Sequence, residues 1–214
     1  MYRELGGLGA DTRLGVPGED GAGVHGATAF IERLKNEAGF TVEGVRRAVV
    51  VGGGNTAIDV ARELAQLGVT DVAMVYRRTA REMSGYAHEM NAARVEGVRL
   101  VESAQPVAVV RDGAGKVTAL RVSATAGDAG EREIACDVVV LAIGQSKLRS
   151  LATSFAGVTL DPRGCVTVDA KTKRTGHPKV YAGGDCINGG KEVVNAAADG
   201  RDAARAMLTA WAAG

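Results

Sequence analysis

Three features of the 214-residue sequence predict an α/β fold, a Rossmann-like, three-layer domain with a smaller unit after it. A buried apolar run, Ala48-Val49-Val50-Val51, drops into a glycine turn and then into apolar residues at helical spacing. A second run, Val72-Ala73-Met74-Val75-Tyr76, completes a βαβ unit of roughly 30 residues. A third, Asp137-Val138-Val139-Val140-Leu141-Ala142-Ile143-Gly144-Gln145, has the continuous apolar character of a central parallel strand and should rejoin the same sheet.

The elements follow in order. Residues 1–43 are rich in glycine, with a turn at Pro17-Gly18-Glu19-Asp20 and a short helix at 27–34. Ala57, Val60, Ala61, Leu64 and Leu67 mark one helix face, and Gly68 stands where a left-handed residue ends it. A helix is expected from Tyr86 to Val95, ending at Gly97, then a strand from Val98 to Val101. Val107 to Val110 and Val117 to Val122 flank Asp112-Gly113-Ala114-Gly115, a hairpin signal, and Glu133 to Ala135 adds a strand to this antiparallel insertion. The last third predicts strands at Val166 to Val168 and Val180 to Ala182, and a helix from Glu192 to Leu208 interrupted by Asp199-Gly200.

Composition excludes several classes of function. With 46% apolar and 24% charged residues the chain has an ordinary globular make-up, enough for one large domain or two small ones. A net charge of +1 and 4% aromatics supply neither a basic stripe nor a stacking platform for nucleic acid. No apolar stretch reaches membrane-span length, and the first residues lack a basic region followed by an apolar one, so a cytoplasmic protein is expected. Cys136, Cys165 and Cys186 form no C-x-x-C pair and are read as small core residues, neither a thiol relay nor a cluster ligand set. His25, His88 and His177 are too scattered for a recognisable metal site.

The turn itself is Gly52-Gly53-Gly54-Asn55-Thr56-Ala57, a G-x-G-x-x-A sequence between strand and helix. Gly52 allows the tight turn, Gly54 lets backbone approach a pyrophosphate, and Ala57 keeps helix and sheet close. The phosphates would meet free amides at the positive end of the helix dipole. After the second strand, where an NAD site usually places a carboxylate for the ribose 2′-hydroxyl, the chain carries Arg77-Arg78. Guanidinium groups bind a 2′-phosphate through bidentate, charge-assisted bonds, which favours NADPH, and Arg81 lies within reach of the same phosphate. The alternative is that these arginines only solvate a surface loop.

Thr175-Gly176-His177-Pro178-Lys179-Val180-Tyr181-Ala182-Gly183-Gly184-Asp185 is a second constellation. Together with the first it resembles the two-nucleotide flavoprotein reductases. Within them the likeness is to the small subunit of glutamate synthase and the electron-input half of dihydropyrimidine dehydrogenase. Tyr76-Arg77-Arg78, Arg81-Glu82-Met83 and Ala142-Ile143-Gly144 stand in the order used there; Ser84 departs where proline is frequent.

That resemblance implies NADPH against Gly53 to Thr56, Arg77, Arg78, Arg81 and Ala142 to Gly144. It implies FAD against Gly184 and Asp185, with the helix start at Val193, Val194 and Asn195 aimed at the flavin. Lys191 and Glu192 are read as a solvated loop pair, and no side-chain catalyst is named. The implied domains are 1–43, a fragment of the FAD-binding domain with its connection; 44–145, the inserted NAD(P)H-binding domain; and 146–214, the C-terminal part of the FAD-binding domain. The family's first FAD motif and its cysteine-rich iron–sulfur region are not found in 1–43, so the FAD domain is expected to be incomplete and the chain the C-terminal part of a longer reductase. The expected function is an NADPH-to-FAD electron-input module that hands electrons to that N-terminal region or to a separate subunit. The alternatives are an NADPH-binding fragment without catalysis and a disulfide reductase, the latter disfavoured by the cysteine spacing.

Overall fold

The computed structural model describes residues 9–127, 130–145, 152 and 154–212. Asp11–Gly144 forms one compact unit and the rest of the chain another. From Asp11 onward the segment 1–43 therefore lies with the central strands.

In the Asp11–Gly144 unit, β1 (Val24–Gly26), β8 (Val138–Leu141), β2 (Arg47–Val51), β3 (Asp71–Val75) and β4 (Arg99–Val101) lie in that order in a parallel sheet. The alternation of side chains along each strand creates two cores. Ala48, Val50, Val72, Met74, Val138 and Val140 pack under the helices α1 (Ala27–Asn36), α2 (Asn55–Gln66) and α3 (Ala87–Val95). Val49, Val51, Ala73, Val75, Val139 and Leu141 face β5 (Ala104–Arg111), β6 (Val117–Ala124) and β7 (Glu131–Ala135), an antiparallel sheet. The expected three layers are thus helices, parallel sheet and antiparallel sheet. Both faces of the middle layer are covered, which is why its strands read as unbroken apolar runs.

Helix α2 follows its pattern closely: Ala57, Val60, Ala61 and Leu64 are fully buried, and truncating a side chain such as Leu64 to alanine costs about 2–5 kcal/mol. Leu67, assigned to that face, is instead exposed at the C-cap, and Gly68 beyond it has φ +92°. β1 escaped the sequence reading because Val-His-Gly carries no strand pattern; its partner β8 makes it a strand. Helix α1 lacks a cap from its own first turn, and Asp11 supplies one, its carboxylate accepting from the amides of Thr28 and Ala29 at 3.2 and 3.1 Å. A Cβ on Gly26 would collide with that carboxylate.

The second unit holds α4 (Asp185–Asn188) and the 20-residue α5 (Val193–Ala212). Two expectations fail here. Val166 to Val168 and Val180 to Ala182 are not strands: only the single bridges Leu160–Val166 and Arg174–Tyr181 form. Val166 donates to Cys186 and Thr167 to Thr159, so successive amides find different partners and no ladder propagates. Nor do Asp199 and Gly200 interrupt α5, which runs through both. The Asp199 carboxylate bonds elsewhere, and one helical glycine costs only about 1 kcal/mol.

Candidate functional site

At the end of β2 the chain turns on Gly52, whose φ of +150° is one that L side chains rarely adopt. A Cβ there would strike the Ala142 carbonyl at the end of β8 and lie 3.1 Å from Ala57 Cβ. At Gly53 a Cβ would fall 2.5 Å from the Tyr76 ring. Both glycines are therefore required by the protein's own packing.

Gly54 differs. Its φ of −97° and ψ of 177° suit any residue, and a Cβ would meet only Ser84 Oγ at 3.5 Å, an ordinary contact. Gly54 caps α2 without a side-chain bond, and no acidic residue stands in the first turn. Its carbonyl accepts from Ala57 and Ile58 at 3.1 and 3.2 Å. Among the described residues, none supplies an acceptor for the amides of Gly54, Asn55 and Thr56. Open amides beside a glycine that nothing in the fold demands fit a phosphate group closing on the backbone.

The Asn55 side chain is committed internally: its Oδ1 accepts from the Tyr86 amide at 2.8 Å, and Gly85 donates to the Gly53 carbonyl at 3.1 Å. Segment 84–86 is thereby tied to the glycine turn, and a Cβ on Gly85 would come within 2.5 Å of Ile58 Cδ1. This fixes the path of the loop at Ser84, where the sequence departs from the proline frequent in the family it resembles.

Arg77, Arg78 and Arg81 follow β3, all exposed, and no carboxylate lies within ion-pairing distance of any of them among the described residues. Glu82 is drawn into a capping box instead, its carboxylate accepting from the amide and hydroxyl of Thr79 at 3.1 and 2.9 Å. Those bonds, ahead of a weaker attraction from Arg78, hold Glu82 below its ordinary range. Tyr76 joins this loop to the turn, its ring over Gly53 and its hydroxyl donating to the Glu82 carbonyl at 2.9 Å.

Ala142, Ile143 and Gly144 sit beside the glycine turn because β8 pairs with β2, and the Ala142 amide donates to Val51 at 2.8 Å. Ile143 is 37% exposed and Gly144 has φ +101°. The fold thus gathers Gly52 to Ala57, the three arginines and 142–144 on elements of one unit. Gly85 and Tyr86 were missed, and Tyr76 was read only as strand and motif, since their roles depend on contacts that spacing does not encode.

In the other unit the Thr175 hydroxyl is buried in a turn, donating to the Val180 carbonyl at 2.9 Å and accepting from His177 at 3.1 Å. Gly184 has φ +71° at the start of α4, and Asp185 Oδ1 accepts from the Lys191 amide at 3.3 Å. Asp199, from α5, takes the Gly184 amide at 2.9 Å and Lys173 Nζ at 2.9 Å. A Cβ on Gly184 would lie 3.2 Å from Ala196 Cβ, so the Gly-Asp turn rests against the start of α5. Val193, Val194 and Asn195 are exposed there.

Cys136 is buried, and burial pushes its thiol up to about 12, a value that leaves it no nucleophile. Burial also raises Cys186. Among the described residues no cluster of His, Cys, Asp or Glu could hold a metal ion, and no helix is long and apolar enough to cross a membrane.

A parallel sheet whose glycine turn opens onto unsatisfied amides defines the Rossmann-like class of dinucleotide-binding fold. The chain belongs to the pyridine nucleotide-disulphide oxidoreductase family, whose sequence profile matches residues 7–200. It is 32% identical to the glutamate synthase [NADPH] small chain of Escherichia coli, over 92% of this chain and 47% of the relative. It is also 32% identical to the NAD-dependent dihydropyrimidine dehydrogenase subunit PreT of the same organism, over 94% of this chain and 45% of that one. Thioredoxin reductase from T. acidophilum superposes with a TM-score of 0.78 at 25% identity, over 94% of this chain and 62% of that structure. The chain spans roughly a third to a half of the length of the curated relatives it matches.

Proposed function

We propose that the chain is an NADPH-dependent electron-input module of a flavin oxidoreductase. NADPH binds with its pyrophosphate on the amides of Gly54, Asn55 and Thr56, its 2′-phosphate on Arg77, Arg78 and Arg81, and its nicotinamide toward Ala142 to Gly144. FAD is held by Gly184 and Asp185 and by the helix start at Val193 to Asn195, together with protein outside these residues. Bound there, FAD would supply the redox chemistry, that of a hydride acceptor for NADPH and an electron donor to a partner domain or subunit. Gly52 and Gly53 shape the turn, Tyr76 and Asn55 fix the loops beside it, and Asp199 holds the Gly-Asp turn.

The single observation that carries this reading is the open Gly54 cradle with its unused amides. The exposed arginines without ion-pair partners support the phosphorylated coenzyme. Replacing Arg77 by Asp and Arg78 by Ala should reverse the preference for NADPH over NADH in equilibrium binding; an unchanged ratio overturns the assignment.

A second reading is favoured by one observation: the whole NADPH constellation lies within Asp11–Gly144, a unit with its own cores. On that reading the chain binds NADPH independently of flavin and has no activity alone. Purified chain that is colourless, binds NADPH and reduces no dye supports it, and bound yellow flavin with NADPH oxidation overturns it.

A further inference from the structure

The loop that carries Arg77 and Arg78 leaves β3 and is held by hydrogen bonds from the β4–β5 junction and from the end of β6. The Arg78 carbonyl accepts from the Ser103 amide at 3.0 Å, and the Arg77 carbonyl accepts from the Thr125 hydroxyl at 2.7 Å. Ser103 and Thr125 are themselves joined, the Thr125 amide donating to the Ser103 carbonyl at 2.8 Å. Ser103 stands between β4 and β5 with φ +49°, a left-handed conformation uncommon for a residue other than glycine. From the same junction Glu102 accepts from the Ala80 amide at 2.6 Å. Thr125 lies just past β6, so the end of the antiparallel sheet clasps the backbone that presents the arginines.

We propose that Thr125, with Ser103 and Glu102, is a positioning residue for coenzyme selection. Acting through the carbonyls of Arg77 and Arg78, this clasp sets where the two guanidinium groups stand and so sets discrimination for the 2′-phosphate. The antiparallel sheet thereby governs specificity as well as covering the core. A bidentate guanidinium–phosphate contact is directional, and a backbone shift of well under the length of a hydrogen bond misaligns it. The pyrophosphate amides of Gly54 to Thr56 stand at the start of α2, on a different element from the clasp. The proposal rests on the arginines reading the 2′-phosphate.

The test compares NADP+ and NAD+ binding by calorimetry for the whole chain and for the variants Thr125→Val, Thr125→Ser and Glu102→Ala. Thr125→Val keeps the side-chain shape and removes only the donor to Arg77. It is expected to weaken NADP+ binding by about threefold to tenfold, the range of one lost hydrogen bond. NAD+ binding should stay unchanged and Thr125→Ser should restore the native ratio. Glu102→Ala should act in the same direction through Ala80. Parallel loss of both coenzymes, or an unchanged ratio in Thr125→Val beside a wild type that prefers NADP+, overturns the proposal while leaving the arginine assignment intact. A wild type that binds both coenzymes equally overturns the arginine assignment and the clasp together.

Discussion

Asp199 reaches back fifteen residues to accept the amide of Gly184 at 2.9 Å, while its other oxygen holds Lys173 Nζ at 2.9 Å. One carboxylate in the middle of α5 thus fixes a glycine in the left-handed region and neutralises a largely buried lysine. Replacement by alanine orphans both partners and should cost about 2–4 kcal/mol, whereas asparagine, which keeps an acceptor for Gly184, should cost less. Burial pushes the carboxyl up, but the Gly184 amide and Lys173 outweigh it and hold it below its ordinary value of 3.8. Its stabilisation is therefore complete above that value and fades as pH falls through the depressed one. The wild-type advantage over Asp199→Asn in urea denaturation should be full at neutral pH and shrink in strong acid.

The glycines of the turn should separate by function. Gly52→Ala and Gly53→Ala meet the Ala142 carbonyl and the Tyr76 ring, and both should lower thermal stability. Gly54→Ala, with only Ser84 Oγ nearby, should fold within about 1 kcal/mol of wild type. Its NADPH affinity should nonetheless fall about tenfold or more, because the new methyl occupies the approach to the amides. Thermal melts paired with coenzyme titration distinguish the two outcomes.

His25 on β1 packs its ring 5.5 Å from Phe30 and 5.9 Å from Phe40. Burial first, and then the Arg33 guanidinium, lower its pKa from the ordinary 6.5. The unfolded chain binds the proton more readily, so the stability from neutral His25 is present above 6.5 and lost as pH falls through the folded value. Histidine NMR should show this titration displaced to acid, and His25→Asn should flatten the slope of stability against pH below neutrality.

Arg62 ties α2 to α3, with Nη1 at 2.5 Å from Glu89 and Nη2 at 2.8 Å from Glu96. The three side chains are 25–32% exposed, so solvent weakens the pairs. Arg62→Ala should lower the denaturation midpoint slightly, and high salt should narrow its difference from wild type.

Local pattern carried the central strands, helices α2 and α3 and the hairpin, because each has a clear period and a bounding glycine. The glycine turn and the arginine loop were legible because their chemistry lies within short stretches. What stayed hidden depends on residues far apart in sequence. β1 is a strand only through β8, Asp199 reads as a helix breaker until Gly184 stands beside it, and nothing in the sequence marks Thr125 until its hydroxyl meets the Arg77 carbonyl. The cysteines, spaced widely, gave no hint that Val166, next to Cys165, donates to the Cys186 carbonyl at 2.8 Å.

Asp11 bears on where the proposed diphosphate would settle. Helices α1 and α2 both begin at the same end of the parallel sheet, and each would offer an anion its first-turn amides. The carboxylate of Asp11 already occupies the amides of Thr28 and Ala29 as a resident competitor. On the proposed reading an anion meets a resident carboxylate at the start of α1 and none at the start of α2, so Asp11 steers a diphosphate away from the first helix and toward the glycine turn.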